Sequence, residues 1–263
     1  MTLHQLPLAS KDKVIIVGAG IGGLASSVRL SHLGYQVSVF EKAKNAGGKL
    51  RTIMGSTGDI DVGPTVLTLL PIFKKLFKSV GEDIFEHIEL VRQKIIARHW
   101  WPDGTSLDLH DNFEASRDAI LSFSGSNSAH EFEKYFFDTK DLFSCFETPV
   151  MQNPKPSLLD MNRAVFSNPR ILTKIHPSRS LSSSLKLKFS DYRLQQLFAR
   201  YSTYVGGSPL ESPALLSLIW QAEARGVWSI KGGMKKLARV LEKLALDRGA
   251  SFTYDSEVQE FNT

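Results

Sequence analysis

Residues 14–23 read VIIVGAGIGG and open a predicted β-α-β unit. The apolar, β-branched run 14–17 is typical of a buried strand. Gly18 allows a tight turn after the strand, Gly20 lets the backbone approach a pyrophosphate, and Gly23 lets the next helix pack closely on the strand. That helix directs its free N–H groups and the positive end of its dipole at the phosphates. The pattern therefore predicts the phosphate-binding turn of a dinucleotide site.

An acidic residue stands at the distance that such a site requires. A second predicted strand, 36–40, leads to Glu41, which lies 18 residues after Gly23. A carboxylate at this place can accept hydrogen bonds from both ribose hydroxyls of an adenosine, and its charge repels the 2′-phosphate of NADP. A glycine-rich turn with a purely structural role would not need this acid, so we favour nucleotide binding.

A second glycine pair follows Glu41 by six and seven residues. It consists of Gly47 and Gly48, and the cations Lys49 and Arg51 come directly after it. NAD enzymes have no general need for another glycine-rich basic turn here. An extended FAD pyrophosphate is suited by a second close backbone approach and by nearby cations. We therefore expect FAD as the cofactor.

Composition excludes several classes of protein. The 263 residues carry a net charge of +5, and no tract rich in Lys and Arg contains the interleaved aromatic residues of a nucleic-acid site, so no nucleic-acid partner is expected. Cys145 is the only cysteine, which excludes an intrachain disulfide and a thiolate metal cluster, and no metal is expected. No run reaches the roughly 18–20 apolar residues of a membrane span, so we expect a cytoplasmic protein.

The predicted elements divide the chain into three segments. Residues 1–92 form the first part of an FAD-binding domain, 93–225 form a substrate domain, and 226–263 form a second, incomplete part of the FAD-binding domain. The fold class is therefore α/β: a Rossmann-like FAD-binding domain interrupted by an α+β, largely helical substrate domain. An aromatic stripe at 132–146 has helical spacing, which is typical of a core and also compatible with a pocket for an apolar substrate.

Residues 69–80 predict an amphipathic helix. Lys74, Lys75 and Lys78 share one face, and large apolar side chains share the other. The apolar face either packs on the protein core or lies in the surface of a membrane, and both interpretations stay open.

Further motifs follow the first unit in a characteristic order. They are 17–25, Glu41-Lys42, 47–51, 61–66, Arg200-Tyr201, Gly206-Gly207-Ser208-Pro209 and 226–234. Together they resemble the FAD-dependent carotenoid desaturases, the phytoene-desaturase group of the amine-oxidase-like flavoproteins. Within that group they are most similar to the hydroxyneurosporene (1-hydroxycarotenoid 3,4-) desaturases. The resemblance spans nearly the whole chain.

The resemblance implies a role for individual positions in binding FAD. Gly18, Gly20 and Gly23 would hold the pyrophosphate, and Glu41 would hold the adenosine ribose. Lys49 and Arg51 would lie near the pyrophosphate and flavin, and Gly63, Pro64 and Thr65 would lie close to the isoalloxazine ring. Val258, in a predicted strand 257–261, would contact the adenine, and Lys42 and Gly48 are further cofactor contacts. Many related flavoproteins have Arg where Lys49 stands. The ammonium group of Lys cannot form the bidentate hydrogen bonds that a planar guanidinium forms with an anion, so Arg51 is expected to supply that contact.

The resemblance also implies a reaction. Two hydrogens would leave a C–C bond beside a conjugated polyene, with a hydride moving to N5 of the flavin. The expected partner is an apolar carotenoid, reached by peripheral contact with the inner membrane face. Five residues could act as a base, but only their side-chain type suggests it, so no catalytic residue is assigned. They are Asp59, Asp61, His110, His130 and His176.

Three other functions stay open: a different amine-oxidase-like flavin oxidoreductase with a polar substrate, a non-catalytic flavin- or lipid-binding protein, and an NAD dehydrogenase. Proteins of the desaturase group are longer than this chain and close the flavin site with a C-terminal glycine-rich segment. We therefore expect the chain to be C-terminally truncated and to bind FAD poorly.

Overall fold

The structure is a computed structural model and describes residues 12–260. Its strands are β1 (Lys13–Val17), β2 (Gln36–Phe40), β3 (Thr52–Gly55), β4 (Gly58–Asp61), β5 (Leu90–Arg92), β6 (Ile95–Trp100), β7 (Ser106–His110), β8 (Trp228–Ile230) and β9 (Ser251–Thr253). Its helices are α1 (Ile21–His32), α2 (Leu70–Lys78), α3 (Ile84–His87), α4 (Phe113–Phe146), α5 (Leu158–Ser167), α6 (Leu172–Ile175), α7 (Leu181–Lys188), α8 (Tyr192–Ala199), α9 (Trp220–Ala224) and α10 (Lys235–Leu246). Short 3₁₀ segments cover Pro169–Ile171, Arg200–Val205 and Ala214–Ile219, and a π turn covers Glu147–Met151.

The chain folds into two compact units. Unit 1 consists of the described residues of 1–92 and 228–263, and unit 2 consists of residues 93–227. Unit 1 is built on a parallel sheet in the order β1-β2-β9. Helix α1 connects β1 to β2 and packs against α10. This β-α-β arrangement confirms the predicted Rossmann-like fold.

The core of unit 1 lies under the helices on one face of this sheet. Val39 of β2, Leu24 of α1 and Leu241 of α10 are buried there, and Ile16 of β1 packs against the same cluster. The burial predicted for residues 14–17 is wrong for Ile15 and Val17, which are 65% and 47% exposed. The period of a strand is two, so these side chains point to the opposite face, which the described residues do not cover.

Helix α2 packs its apolar face on the core of unit 1. Leu70 and Phe77 are buried, and Val80 just beyond the helix is buried beside them. Lys74, Lys75 and Lys78 are exposed on the other face. Of the two interpretations of the amphipathic pattern, the structure supports packing on the core. No helix within residues 12–260 combines the length and the apolar character that crossing a membrane requires.

The strand predicted over 257–261 is wrong for the residues that the structure describes. Residues 257–260 have no regular secondary structure, and residue 261 lies outside the described range. Strand β9 ends at Thr253, which pairs with Phe40, the last residue of β2. The parallel ladder therefore stops where β2 stops, and residues 257–260 have no neighbouring strand to pair with in the described structure.

Unit 2 has an aromatic core. Helix α4 is interrupted at Gly125, whose φ of 86° is outside the helical range, and the part after it carries the aromatic stripe. Phe132 and Tyr135 are buried and pack on Phe198 and Trp220, with ring centroids of Tyr135 and Phe198 4.6 Å apart. The stripe thus forms the core, the first of its two interpretations.

Candidate functional site

The turn after β1 has the geometry expected of a phosphate-binding loop. Gly18 has a φ of 93°, a conformation that favours glycine, and its N–H donates a 2.8 Å hydrogen bond to the carbonyl of Phe40. A Cβ placed on Gly23 would lie 1.9 Å from the carbonyl oxygen of Gly18. Gly23 is therefore required by close packing of the helix on the turn, as the sequence predicts.

The N-terminus of α1 is open to an anion. Its N-cap is Gly20, which offers no side chain to the helix, and no acidic residue stands in the first turn. A Cβ built on Gly18, Gly20 or Gly22 meets no atom within 4 Å. The free N–H groups and the positive end of the helix dipole therefore lie beside glycines that no other part of the chain crowds.

Glu41 is held in place by backbone N–H groups on both of its oxygens. Oε2 accepts a 2.6 Å hydrogen bond from Ala19 and Oε1 accepts a 2.8 Å hydrogen bond from Ala43. The side chain is 8% exposed. Since a carboxylate has about four acceptor sites, each oxygen keeps capacity for a further donor such as a ribose hydroxyl.

The second glycine pair lies directly against the first turn. The N–H of Gly47 donates a 2.8 Å hydrogen bond to the carbonyl of Ala19, and Gly20 and Gly47 form a parallel β-bridge. Gly48 has a φ of 58°, and a Cβ placed on it would lie 3.1 Å from the Cα of Gly20. Two glycine-rich segments that are distant in sequence therefore line one place, beside Glu41.

Several of the next predicted cofactor contacts flank the β3–β4 hairpin, on its two sides. The N–H of Val62 donates a 3.0 Å hydrogen bond to the carbonyl of Arg51. A Cβ placed on Gly63 would lie 1.9 Å from the carbonyl oxygen of Lys49, so only glycine fits there. The structure thus brings Gly63 to the backbone of residues 49–51. The remaining members of this group are exposed: Lys42, Lys49, Arg51, Pro64 and Thr65.

Asp61 joins two of the sequence motifs, a role that the sequence did not reveal. Its Oδ2 accepts a 2.9 Å hydrogen bond from the N–H of Met234. Gly233 has a φ of 84°, and a Cβ placed on it would lie 3.1 Å from the same oxygen. Oδ1 is buried without a hydrogen-bond partner. The sequence places Asp61 in the motif 61–66, and only the folded chain shows what its carboxylate contacts.

The segment around Val258 also approaches Glu41. The N–H of Ser256 donates a 3.0 Å hydrogen bond to the carbonyl of Glu41, and Val258, two residues further, is half-buried. The backbone that is expected beside the adenine is therefore next to Glu41, although it is not a strand.

The other residues considered for catalysis do not form a recognisable catalytic group. Asp59 and His130 are exposed, and His110 and His176 are half-buried in unit 2. Burial and the nearby charges of Lys188 and Arg179 lower the pKa of His176. No catalytic residue is assigned from this geometry.

Comparison with known proteins finds one family model and several similar sequences. A family model for an NAD(P)-binding Rossmann-like domain matches residues 16–81. Hydroxyneurosporene desaturase of Cereibacter sphaeroides is 42% identical over 94% of this chain and 50% of its own length, and that of Rhodobacter capsulatus is 39% identical over 96% and 51%. The chain thus spans about half the length of these relatives.

A solved structure shows the same fold at low sequence identity. An oxidoreductase from Methanosarcina mazei is 18% identical and superposes with a TM-score of 0.60, over 92% of this chain and 51% of its own. The glycine turn, the acid after β2 and the matching sequences converge on one conclusion: the chain has a Rossmann-like fold and is similar to the hydroxyneurosporene desaturases along about half of their length.

Proposed function

We propose that this chain carries the FAD-binding region of a carotenoid desaturase. One observation carries the choice of cofactor: Gly47 and Gly48 are packed against the turn Gly18–Gly20, beside Glu41. An NAD site needs the first turn and the acid. The second close backbone approach, followed by the exposed cations Lys49 and Arg51, is suited to a longer dinucleotide with more backbone to bind.

The residues present fit FAD. A Cβ built on Gly18 or Gly20 meets nothing within 4 Å, so no protein atom crowds the N-terminus of α1, where the pyrophosphate would bind. The Glu41 carboxylate is fixed by two backbone N–H groups and retains acceptor capacity for the ribose hydroxyls. FAD bound here would supply the two-electron acceptance that removing two hydrogens from a C–C bond requires.

The contribution of the chain's own residues is binding and orientation. Gly18, Gly20, Gly23 and Gly48 admit the pyrophosphate, and Glu41 binds the adenosine ribose. Lys49 and Arg51 balance the phosphate charge, and Lys42 is a further cofactor contact. Gly63, Pro64 and Thr65 lie by the flavin ring, and Val258 by the adenine. Unit 1 is thus the cofactor unit of this proposal and unit 2 the substrate unit. We assign a carotenoid as substrate, with peripheral contact to the inner membrane face because a carotenoid dissolves in lipid.

A test of the cofactor uses Gly20→Ala. The φ of −69° at Gly20 suits any residue and a Cβ meets no protein atom, so the variant keeps the wild-type melting temperature. Its methyl group occupies the pyrophosphate space, and FAD affinity falls by a factor of about 10 or more, since each 1.4 kcal/mol is tenfold. Flavin fluorescence quenching measures the affinity.

Unchanged FAD affinity in Gly20→Ala would contradict this site. Binding of NAD with no binding of FAD would favour a nicotinamide dehydrogenase. For the reaction, the protein loaded with FAD is mixed anaerobically with a carotenoid or an amine. Bleaching of the flavin by the carotenoid supports the desaturase, bleaching by the amine supports an amine oxidase, and bleaching by neither supports a binding protein.

A further inference from the structure

A basic segment of unit 2 carries exposed apolar side chains. Residues 151–179 contain five Lys or Arg residues and a single acid, Asp160, which is a net charge of +4 out of +5 for the whole chain. Phe166 is 80% exposed, Leu159 is 60% exposed and Leu172 is 58% exposed. Within residues 12–260, no other Phe, Tyr or Trp side chain is as exposed as Phe166. Large apolar side chains exposed among cations mark a surface that binds a partner.

The exposed apolar and basic residues of α5 share one face of that helix. Leu159, Arg163 and Phe166 follow each other at intervals of four and three residues, which places them one above another along the helix. Arg163 is exposed with its two apolar neighbours. On the other side of the helix, the carbonyl of Ala164 lies 3.5 Å from Sγ of Cys145 in α4. Helix α5 therefore rests on α4 and presents a second apolar face, mixed with a cation, to the solvent.

The segment after α5 continues in the same way. The side chain of Ile171 is buried, whereas those of Arg170 and Leu172 on either side of it are exposed. Lys174 of α6 forms an ion pair with Asp141 of α4, with Nζ 2.6 Å from Oδ2. Helices α5 and α6 are therefore both anchored on α4, and both leave an apolar side chain and a nearby arginine in the solvent.

Two of the exposed cations are available for an external partner. Within residues 12–260, no acid forms an ion pair with Arg163 or Arg170, whereas the half-buried Lys174 is neutralised by α4. Helix α2 of unit 1 is basic as well, but its apolar face is already packed on the core through Phe77. The surface in unit 2 thus offers both charge and unburied apolar area. We name it the α5–α6 surface, with the members Leu159, Arg163, Phe166, Arg170 and Leu172.

We propose that the α5–α6 surface docks on an anionic lipid bilayer. Leu159, Phe166 and Leu172 enter the boundary between headgroups and acyl chains, and Arg163 and Arg170 lie among the lipid phosphates. Charge complementarity selects this partner, because an anionic bilayer offers apolar depth and negative charge over one continuous surface. The choice of a bilayer rests on the proposed function. The inference adds which surface touches the lipid and that the lipid is anionic.

The test is sedimentation of the 263-residue chain with lipid vesicles. The vesicles consist of phosphatidylcholine alone or of an equal mixture of phosphatidylcholine and phosphatidylglycerol. We expect binding to the mixed vesicles to be about tenfold stronger or more, because each cation near an anionic membrane strengthens binding severalfold. Raising the salt concentration weakens this binding, since salt screens exposed charges.

Two variants separate the apolar contribution from the basic one. Phe166→Ser weakens binding to the mixed vesicles about tenfold, because the ring no longer leaves water on docking. Arg163→Gln combined with Arg170→Gln lowers the preference for phosphatidylglycerol by a similar factor of about ten. Both variants keep the wild-type melting temperature, since the replaced side chains are exposed. Leu159→Ser takes the place of Phe166→Ser if that variant does not fold.

Matched controls come from unit 1. Met54→Ser removes an apolar side chain that is 89% exposed, and it leaves vesicle binding unchanged. Lys75→Gln combined with Lys78→Gln removes two exposed cations of α2, and it also leaves binding unchanged. Losses in these controls as large as those in the test variants would show that the α5–α6 surface is not the docking site.

Three further results overturn the inference. They are failure of the wild type to bind either vesicle, equal binding to both vesicles, and self-association without lipid that Phe166→Ser abolishes. Light scattering detects the last of these, which would assign the surface to a second copy of the chain. None of these results changes the FAD titration of Gly20→Ala, which tests the proposed function separately.

Discussion

The backbone N–H of Ala19 donates a 2.6 Å hydrogen bond to Oε2 of Glu41, which ties the turn after β1 to the residue that follows β2. The same carboxylate binds the N–H of Ala43 through its other oxygen, and the N–H of Gly47 returns to the carbonyl of Ala19. One acid therefore organises the glycine turn, the end of β2 and the second glycine pair. These hydrogen bonds within the chain hold the Glu41 carboxylate in one position.

Glu41→Gln replaces one of these acceptors with an NH₂ group that faces a backbone N–H. We expect a loss of about 1–3 kcal/mol in the free energy of unfolding, because a buried donor loses its partner. FAD affinity falls in parallel. Urea unfolding and flavin titration measure the two effects. Glu89→Gln is the matched control in the same unit, since Glu89 is 59% exposed in a surface ion pair, and it leaves both quantities unchanged. Equal stability of the two variants would argue against this role of Glu41.

Alanine is expected to have opposite effects on thermal stability at the adjacent residues Gly22 and Gly23. The Cβ of Gly23→Ala would lie 1.9 Å from the carbonyl oxygen of Gly18, so the turn or the helix must move and the melting temperature falls sharply. The Cβ of Gly22→Ala meets nothing within 4 Å, and alanine in a helix is favoured over glycine by about 0.5–1 kcal/mol. Thermal unfolding of both variants tests the packing. A tolerated Gly23→Ala would contradict the close helix–turn contact.

The stability of unit 2 depends on pH because it depends on the ionisation of Asp191. The guanidinium of Arg193, with the hydroxyl of Ser124 and the backbone N–H of Arg193, lowers its pKa from 3.8 to about 2. A carboxyl whose folded pKa is depressed stabilises the fold above its unfolded value, and the stabilisation is lost as the pH falls from about 4 to about 2. Asp191→Asn is therefore less stable than wild type at pH 7, and the difference shrinks through this range.

Urea midpoints between pH 7 and pH 2.5 measure this difference. Asp118→Asn is the control, because the side chain of Asp118 is 62% exposed in its pair with Arg117. At pH 7 it has a small effect, as expected for an exposed ion pair. A constant difference between wild type and Asp191→Asn at every pH would show that the ion pair is not what stabilises the fold.

Two phenylalanines of the aromatic region distinguish core from surface. Phe198 is fully buried and stacks on Phe189 with ring centroids 5.1 Å apart, whereas Phe137 is 45% exposed. Phe198→Ala leaves a cavity and lowers the free energy of unfolding by about 3–5 kcal/mol. Phe137→Ala lowers it by less than about 1 kcal/mol. Similar losses in the two variants, measured by urea unfolding, would contradict the core assignment.

Within residues 12–260, strand β1 lies at one edge of the sheet, and its Ile15 and Val17 are exposed. Exposed apolar edges favour pairing between molecules, and a lysine at such an edge opposes it. We expect Ile15→Lys to reduce self-association of the chain without lowering its melting temperature. Light scattering at increasing protein concentration measures this. Ser26→Lys, on the exposed surface of α1, is the control and leaves association unchanged.

The Rossmann-like unit and its glycine turn could be predicted because their determinants are local. The strand, the turn glycines and the helix follow each other within residues 14–32, and steric limits on the backbone make glycine necessary at Gly18 and Gly23. The acid at Glu41 lies at a fixed distance, since the β-α-β unit sets that length. The sequence by itself therefore determined the Rossmann-like unit and the resemblance to the desaturases.

Contacts between distant segments required the tertiary structure. The pairing of Asp61 with Met234 spans 173 residues, and that of Tyr201 with Glu223 depends on a 3₁₀ turn that no pattern indicated. The burial of individual side chains could not be predicted from the sequence either. Ile15 belongs to a run typical of a buried strand, yet it is exposed. The reason is that the environment of a side chain depends on which face of the sheet its neighbours cover. Local sterics fixed the turn and the order of its elements, whereas long-range packing decided which polar groups meet.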